Sequence, residues 1–255
     1  MGDVEFVCLA AGRGTRFGRL GSYLQKCMYP IGLTPFVEFA VRNLTHSEGF
    51  DAAQDRLTFV VGHHAEQIEA YFGSEYSASG ATVRIRYVRQ DEPKGTGHAL
   101  HMAARDLDPA GPVIAWLADL YVPAGLFGRV RAHPAANVLT VGPDPHHDNP
   151  NVAVTRDGDR IVKAWQGVGP RYDIGLWKLS PAVLGAMLGR ELDEFRALPS
   201  LQREIDAGRA EVGWVEADEW IHLGGTAPTP EANVREVARR ITALEPAAQA
   251  PWTPS

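Results

Sequence analysis

The chain has 255 residues, enough for one large α/β domain with a substantial core, and its 45% apolar and 22% charged residues are ordinary for a soluble globular protein. The formal net charge of −6 argues against nucleic acid as a partner, because a nucleic-acid binder normally carries a basic face. No apolar run approaches a membrane span, no export signal precedes the first strand, and the two cysteines, Cys8 and Cys27, read as reduced thiols of a cytoplasmic protein.

Val4 to Leu9 reads as a buried strand. It runs into Ala10-Ala11-Gly12-Arg13-Gly14-Thr15-Arg16-Phe17-Gly18, with three glycines in seven residues. Glycine admits positive φ and close approach of backbone to a ligand. A strand that ends in such a turn exposes N–H groups as a nest for phosphate oxygens. Arg16 and Lys26 add the positive charge that a nest lacks. Two common phosphate loops are excluded. The G-x-G-x-x-G fingerprint fails because Phe17 holds its third glycine position, and no Gly-Lys-Ser/Thr occurs for a P-loop. Cys27 has no adjacent base, so it reads as a core thiol beside Lys26.

Further along, Thr34-Pro35 reads as an N-cap and first helical residue, followed by Phe36, Phe39, Ala40 and Leu44 at helical spacing. Leu57 to Val61 is a buried strand, and Ile68, Tyr71 and Phe72 mark a short helix. Val83, Ile85 and Tyr87 alternate with polar residues as in a half-exposed strand. A helix follows Gly97, and Val113 to Leu117 is again a buried strand. This alternation predicts βαβ units and a mainly parallel sheet with helices on both faces. In the second half, Asp157-Gly158 between two apolar runs signals a hairpin. Ile174 to Leu179, Glu211 to Val215 and Trp220 to Leu223 read as strands, Pro181 to Leu188 as a helix, and Thr229-Pro230 as the cap of a last helix.

Two further stretches carry chemistry. In Gln90-Asp91-Glu92-Pro93-Lys94-Gly95-Thr96-Gly97-His98-Ala99, the Gln90 amide offers both a donor and an acceptor, as a uracil-like O4/N3–H edge requires. Gly95 lets backbone reach a base, and His98 packs or hydrogen-bonds at the helix start. Asp119 follows a buried strand and so sits at the sheet's C-terminal edge, where α/β proteins bind ligands. The pairs His63-His64 and His146-His147 lack further ligands at zinc-site spacing.

Leu9-Ala10-Ala11-Gly12-Arg13-Gly14-Thr15-Arg16 resembles the L-A-A-G-x-G-T-R signature of the sugar-phosphate nucleotidyltransferases, and the Gln90 stretch resembles the Q-x4-G-T-G-H-A of their N-acetylglucosamine-1-phosphate uridylyltransferase branch. The resemblance implies a nucleotidyltransferase fold: a Rossmann-like α/β sheet with a small additional β-hairpin over the sugar site. It implies one domain over residues 1–244, with a nucleotide-binding half (1–122), a sugar-phosphate-binding half (123–244) and a disordered tail (245–255). The implied activity is transfer of a nucleotidyl group from an NTP to a sugar-1-phosphate, with Mg²⁺ as cofactor and Mn²⁺ as the alternative ion. Arg16, Lys26 and Asp119 would be catalytic. Leu9, Ala11, Gly12, Arg13, Gly14, Thr15, Gln90, Gly95 and Thr96 would bind the nucleotide.

Several positions depart from the pattern. The family's proline-lysine pair is Gln25-Lys26 here, and Ala118 replaces the glycine before Asp119. Gln166 stands nearest to a glutamate that binds sugar hydroxyls, and Tyr172-Asp173-Ile174-Gly175 keeps the glycine but not the asparagine of the strand under the sugar. Where the family has W-x-D-x-G-T, with the aspartate as second metal ligand, this chain has Trp220-Ile221-His222-Leu223-Gly224-Gly225-Thr226. Mg²⁺ prefers oxygen ligands, so His222 is read either as the second ligand beside Asp119 or as a structural histidine, with Asp218, Glu219 or water as substitutes. Two other readings stay open: a cytidylyltransferase acting on a non-sugar alcohol phosphate, and a nucleotide-binding relative without turnover. The expected partners are small molecules, with neither nucleic acid nor membrane, and a homodimer is left open.

Overall fold

The computed structural model describes residues 4–78, 80–92, 94–143, 152–188, 196–224 and 229–245, without the side chains of Arg16 and Leu188. His146, His147, Gly225, Thr226 and residues 246–255 therefore lie outside the described residues.

The apolar run after residue 4 forms β1 (Glu5–Ala10), buried along almost all its length. Two 3-10 helices, Thr15–Ser22 and Lys26–Met28, carry the chain away from it. The short strands β2 (Pro30–Ile31) and β3 (Thr34–Pro35) then pair as a ribbon in front of α1 (Phe36–Thr45). This corrects the sequence expectation for Thr34 and Pro35: both are strand residues, and Pro35 stands at the N-cap with no side-chain cap. A proline's φ suits extended backbone as well as a first helical turn, so Thr-Pro alone does not separate the two.

The first half continues through β4 (Arg56–Val61), α2 (Ala65–Phe72), β5 (Glu75–Ala78), β6 (Ala81–Arg89), α3 (Thr96–Leu107) and β7 (Val113–Leu117). In β6, Val83 and Ile85 are buried between exposed Arg84 and Arg86, the alternation expected of a one-sided strand. The second half comprises β8 (Leu120–Tyr121), α4 (Ala124–Ala132), β9 (Asn137–Gly142), β10 (Ala153–Asp157), β11 (Arg160–Gln166) and β12 (Arg171–Leu179). It ends with α5 (Pro181–Leu188), α6 (Ala197–Asp206), β13 (Val212–Glu216), β14 (Ile221–His222) and α7 (Pro230–Leu244). The Asp157-Gly158 signal is the β10–β11 hairpin, with Gly158 at φ 58°. Thr229 caps α7, its hydroxyl accepting from the Ala232 N–H at 3.2 Å.

Ten of the strands form one sheet. Its centre, β7-β1-β4-β6, is parallel, as the βαβ reading requires. One face packs on α1, α2 and α4 through residues such as Val41, Ile68 and Phe127. The other packs on α3, α5 and α6 through Leu100, Leu184 and Leu201. The antiparallel β12 forks this sheet. Its second part, Leu176–Leu179, pairs with β7, while Arg171 and Tyr172 pair with β10 instead. Gly175, at φ 94°, sits in the irregular stretch between them. A Cβ there would come within 2.6 Å of the Leu117 side chain, so only glycine lets β12 pass so close to the end of β7. Among the described residues no helix is long and apolar enough to cross a membrane.

Candidate active site

From β1 the chain goes first to β4 on one side and later to β7 on the other. The C-terminal ends of β1 and β7 are therefore a topological switch point, where an open α/β sheet leaves a crevice. A cavity of about 340 Å³ opens there. Leu9, Ala11, Gly12, Gly14 and Thr15 line it from β1 and its loop. Gln90, Gly95 and Thr96 line it from the β6–α3 turn, and Lys26, Asp119 and His222 complete it. Residues brought from five places in the sequence thus meet in one crevice.

Within the loop, Gly14 and Gly18 take the positive φ that the sequence pattern implies, whereas Gly12 does not. Gly14 packs on Lys26: a Cβ on it would stand 3.0 Å from the Lys26 Cβ. Gly21 packs on the loop in turn, with room for no Cβ before the Gly14 carbonyl at 2.8 Å. Arg13 is exposed and does not line the cavity. Only the backbone of Arg16, in the first 3-10 helix, is described.

Lys26, Asp119 and His222 form the charged centre. Lys26 Nζ is 2.5 Å and His222 Nε2 is 3.3 Å from the same oxygen, Asp119 Oδ2. Burial pushes the Asp119 carboxyl up, but the hydrogen bonds from His222 and Lys26, with the Lys26 charge, outweigh it and hold it well below the usual carboxylate range. β14 brings His222 to this spot by pairing with β8, His222 opposite Leu120, directly after Asp119. His222 Nδ1 accepts a hydrogen bond from the Gly224 N–H at 3.1 Å. A ring whose Nδ1 accepts carries its proton on Nε2, the atom facing Asp119. In that tautomer His222 donates to the carboxylate and has no lone pair there for a metal. A group of three or more His, Cys, Asp or Glu side chains able to hold a metal does not occur among the described residues. Among the described residues that line the cavity, the carboxylate that could hold a divalent cation is Asp119.

At the β6–α3 turn Gln90 is almost fully buried, and its Nε2 lies 3.4 Å from the Gly95 carbonyl oxygen and 2.6 Å from His98 Nδ1. A carbonyl can only accept, so the amide nitrogen belongs on that side and His98 Nδ1 accepts as well. Burial and the neighbouring Lys94 lower the His98 pKa, which favours the neutral ring that this bond needs. The Gln90 amide thus has its donors engaged. Thr96 serves the fold as well: its hydroxyl accepts from the Ala197 N–H at the start of α6.

Neither Gln166 nor Gly175 lines the cavity. Gln166 donates to the Thr155 hydroxyl at 2.5 Å within the β10–β11 hairpin. Gly175 lies behind Leu117, which does line it. Asp218 is paired with Arg129 at 3.4 Å and, like Glu219, is not a lining residue. Cys8 and Cys27 are buried free thiols, both pushed up by burial, so neither is poised as a nucleophile. His63 donates from Nε2 to the Gly21 carbonyl at 2.8 Å, and His64 Nδ1 faces Glu66. Sequence reasoning missed Gln25 and Leu117, both lining residues. The signal that could have found Gln25 is its place immediately before the one lysine near the glycine loop.

A family model described as MobA-like NTP transferase domain matches residues 6–203. Among curated proteins, the bifunctional protein GlmU of Geobacter metallireducens is 36% identical over 145 residues, covering 55% of this chain and 27% of that protein. The GlmU of Burkholderia thailandensis is 26% identical over 260 residues, covering 93% of this chain and 52% of that protein. The chain thus spans about half or less of the length of these relatives. Among solved structures, UDP-glucose pyrophosphorylase from Acinetobacter baumannii superposes with a TM-score of 0.75 at 17% identity, covering 96% of this chain and 95% of that one. A putative glucose-1-phosphate thymidylyltransferase from Bacillus anthracis gives 0.72 at 15% identity, covering 92% and 95%. At these identities the two structures establish the fold.

Proposed function

The chain belongs to the MobA-like NTP transferase domain family, and from that premise we propose that it transfers a nucleotidyl group from an NTP to a sugar-1-phosphate, giving an NDP-sugar and pyrophosphate. The observation that carries this reading is the meeting of Lys26 and Asp119 at the foot of the glycine loop, inside the same crevice as Gln90. The names of the two solved structures, UDP-glucose pyrophosphorylase and putative glucose-1-phosphate thymidylyltransferase, support a sugar phosphate as the acceptor.

In this mechanism an oxygen of the acceptor phosphate attacks the α-phosphorus of the NTP in line, the bond to the bridging oxygen breaks, and pyrophosphate leaves. No protein nucleophile is needed, so catalysis is positioning and neutralisation of phosphate charge. The glycine-loop N–H groups and Arg16 hold the leaving pyrophosphate. Lys26 turns from Asp119 to bridge the α-phosphate and the acceptor phosphate. Gln90 and the Gly95 backbone read the base. With the Gln90 donors engaged, its carbonyl oxygen is left to accept from an N–H of the base, as uracil N3–H offers. Asp119 would hold a divalent cation, Mg²⁺ by its preference for oxygen, which supplies charge neutralisation at the phosphates. His222 keeps the Asp119 carboxylate oriented by its Nε2–H.

A pyrophosphate-release screen of UTP, dTTP, CTP, ATP and GTP against a set of sugar-1-phosphates tests the proposal. It expects release that requires both substrates. Release with an alcohol phosphate and CTP alone would replace the sugar acceptor, and no release with any pair would sink the reading.

A further inference from the structure

Gln25 precedes Lys26 and lies only 2% exposed under the glycine loop. Its Nε2 donates toward three backbone carbonyls: Ala10 at 2.6 Å, Gly12 at 3.1 Å and His63 at 3.3 Å. Because every partner on that side is a carbonyl, the amide can face only one way. Its Oε1 takes the Cys27 N–H at 3.4 Å. Its backbone N–H donates to Gln67 Oε1 at 2.8 Å, and Gln67 Nε2 donates to the Tyr23 carbonyl at 2.8 Å. One side chain therefore ties the end of β1, the glycine loop and the start of α2 to the backbone that carries Lys26.

Gln25 has φ −63° and ψ 129°. That φ is the one a proline ring imposes covalently. Here it is held by hydrogen bonds from residues up to 42 positions away. We propose that Gln25 is a positioning residue, which holds the glycine loop and Lys26 in the arrangement that receives nucleotide before nucleotide arrives. The catalytic consequence rests on the nucleotidyltransferase reading, while the geometric claim does not.

The test combines hydrogen exchange and turnover on the full chain, comparing wild type with Gln25→Glu, Gln25→Ala and Gln25→Pro. An ionised glutamate has the same length but no donor for the three carbonyls. In Gln25→Glu and Gln25→Ala, amide exchange across residues 11–28 rises by about tenfold or more, while exchange in β1, β4 and β7 stays within about twofold. The kcat falls by about thirtyfold or more and falls further than KM rises, because Lys26 acts on the transition state. Gln25→Pro loses the same side-chain amide and also the N–H that donates to Gln67, but its ring keeps φ, so its kcat falls no lower than that of Gln25→Ala.

Exchange over residues 11–28 that is unchanged in both Gln25→Ala and Gln25→Glu overturns the proposal. So does exchange that rises uniformly through the sheet, since Gln25 would then be an ordinary core residue. If Gln25→Glu does not fold, Gln25→Ala gives the same comparison. A wild type that releases no pyrophosphate with any substrate pair defeats the functional reading, and the exchange data still decide the role of Gln25.

Discussion

Asp119 and Asp173 stand on neighbouring elements of one sheet, yet they are in opposite chemical states. Asp119, just past β7, has Lys26 and His222 on one oxygen and stays ionised well below the usual range. Asp173, on β12 before the Gly175 fork, is 3% exposed, and among the described residues no cation shifts it. Burial raises its pKa to about 7, against which the hydrogen bonds from Trp177 Nε1 and the Gly175 N–H work only in part. A cationic partner, rather than depth alone, decides which of two buried carboxylates can serve phosphate chemistry. The crevice keeps its charge where the glycine loop ends, whereas burial holds a proton on Asp173 at mildly acidic pH.

Changing the two aspartates separates them most sharply. Asp119→Asn is expected to lose more than about a thousandfold in kcat with the fold intact, as judged by circular dichroism and thermal melting. Removing the partner, Lys26→Ala, is expected to cost about a hundredfold at saturating substrate, the scale of one lost charge-stabilising donor. Wild-type rates in either variant would break the comparison at its active end. Asp173→Asn acts on stability instead. Between the unfolded value of 3.8 and the folded value of about 7, the unfolded chain has released a proton that the folded chain keeps. The Asp173 contribution to stability is therefore fully present below the unfolded value and is lost as pH rises toward 7, by on the order of 4 kcal/mol. The variant cannot titrate there, so its melting temperature relative to wild type should climb from pH 4 to pH 7. A parallel pair of pH curves would mean that Asp173 is ionised throughout.

The smallest effects sharpen the picture around Asp119 and Gln90. His222→Ala is expected to cost under about tenfold, because the ring donates to Asp119 and does not hold the cation. A strong Mn²⁺ preference that vanishes in His222→Ala would show instead that the ring ligates metal. Gln90→Ala should flatten the preference among NTPs with little loss for the poorest base. An unchanged order would remove Gln90 from base reading.

The parts of this site that could be read from the sequence are those whose chemistry is contiguous in the chain. The glycine loop, Lys26, the Gln90–Thr96 turn and Asp119 after an apolar strand each announce themselves by residue type at short spacing, and they meet in one cavity. The network beneath them does not. Gln25 to His63, Gln67 to Gln25 and His63 to Gly21 are bonds across 38 to 42 residues, which no local spacing encodes. His222 illustrates the limit: a histidine in place of a carboxylate leaves ligand and structural readings equal, and the Gly224 N–H on Nδ1, which favours the structural one, is visible only in the fold. The fold shows the same division. Periodicity located β1, β4, β6 and β7, where both faces or one are apolar. It did not yield the β2–β3 ribbon or the fork at Gly175, which depend on partners distant in sequence.

The central claim is that this crevice moves a nucleotidyl group by the charge of Lys26 and Asp119. The most direct test follows label from α-³²P-UTP in the presence of Mg²⁺ and a sugar-1-phosphate, in wild type, Lys26→Ala and Asp119→Asn. The account predicts label in an NDP-sugar for wild type only when both substrates are present, with at most about a hundredth of that rate in Lys26→Ala. Label that passes to the sugar at the wild-type rate in Lys26→Ala or Asp119→Asn would contradict it.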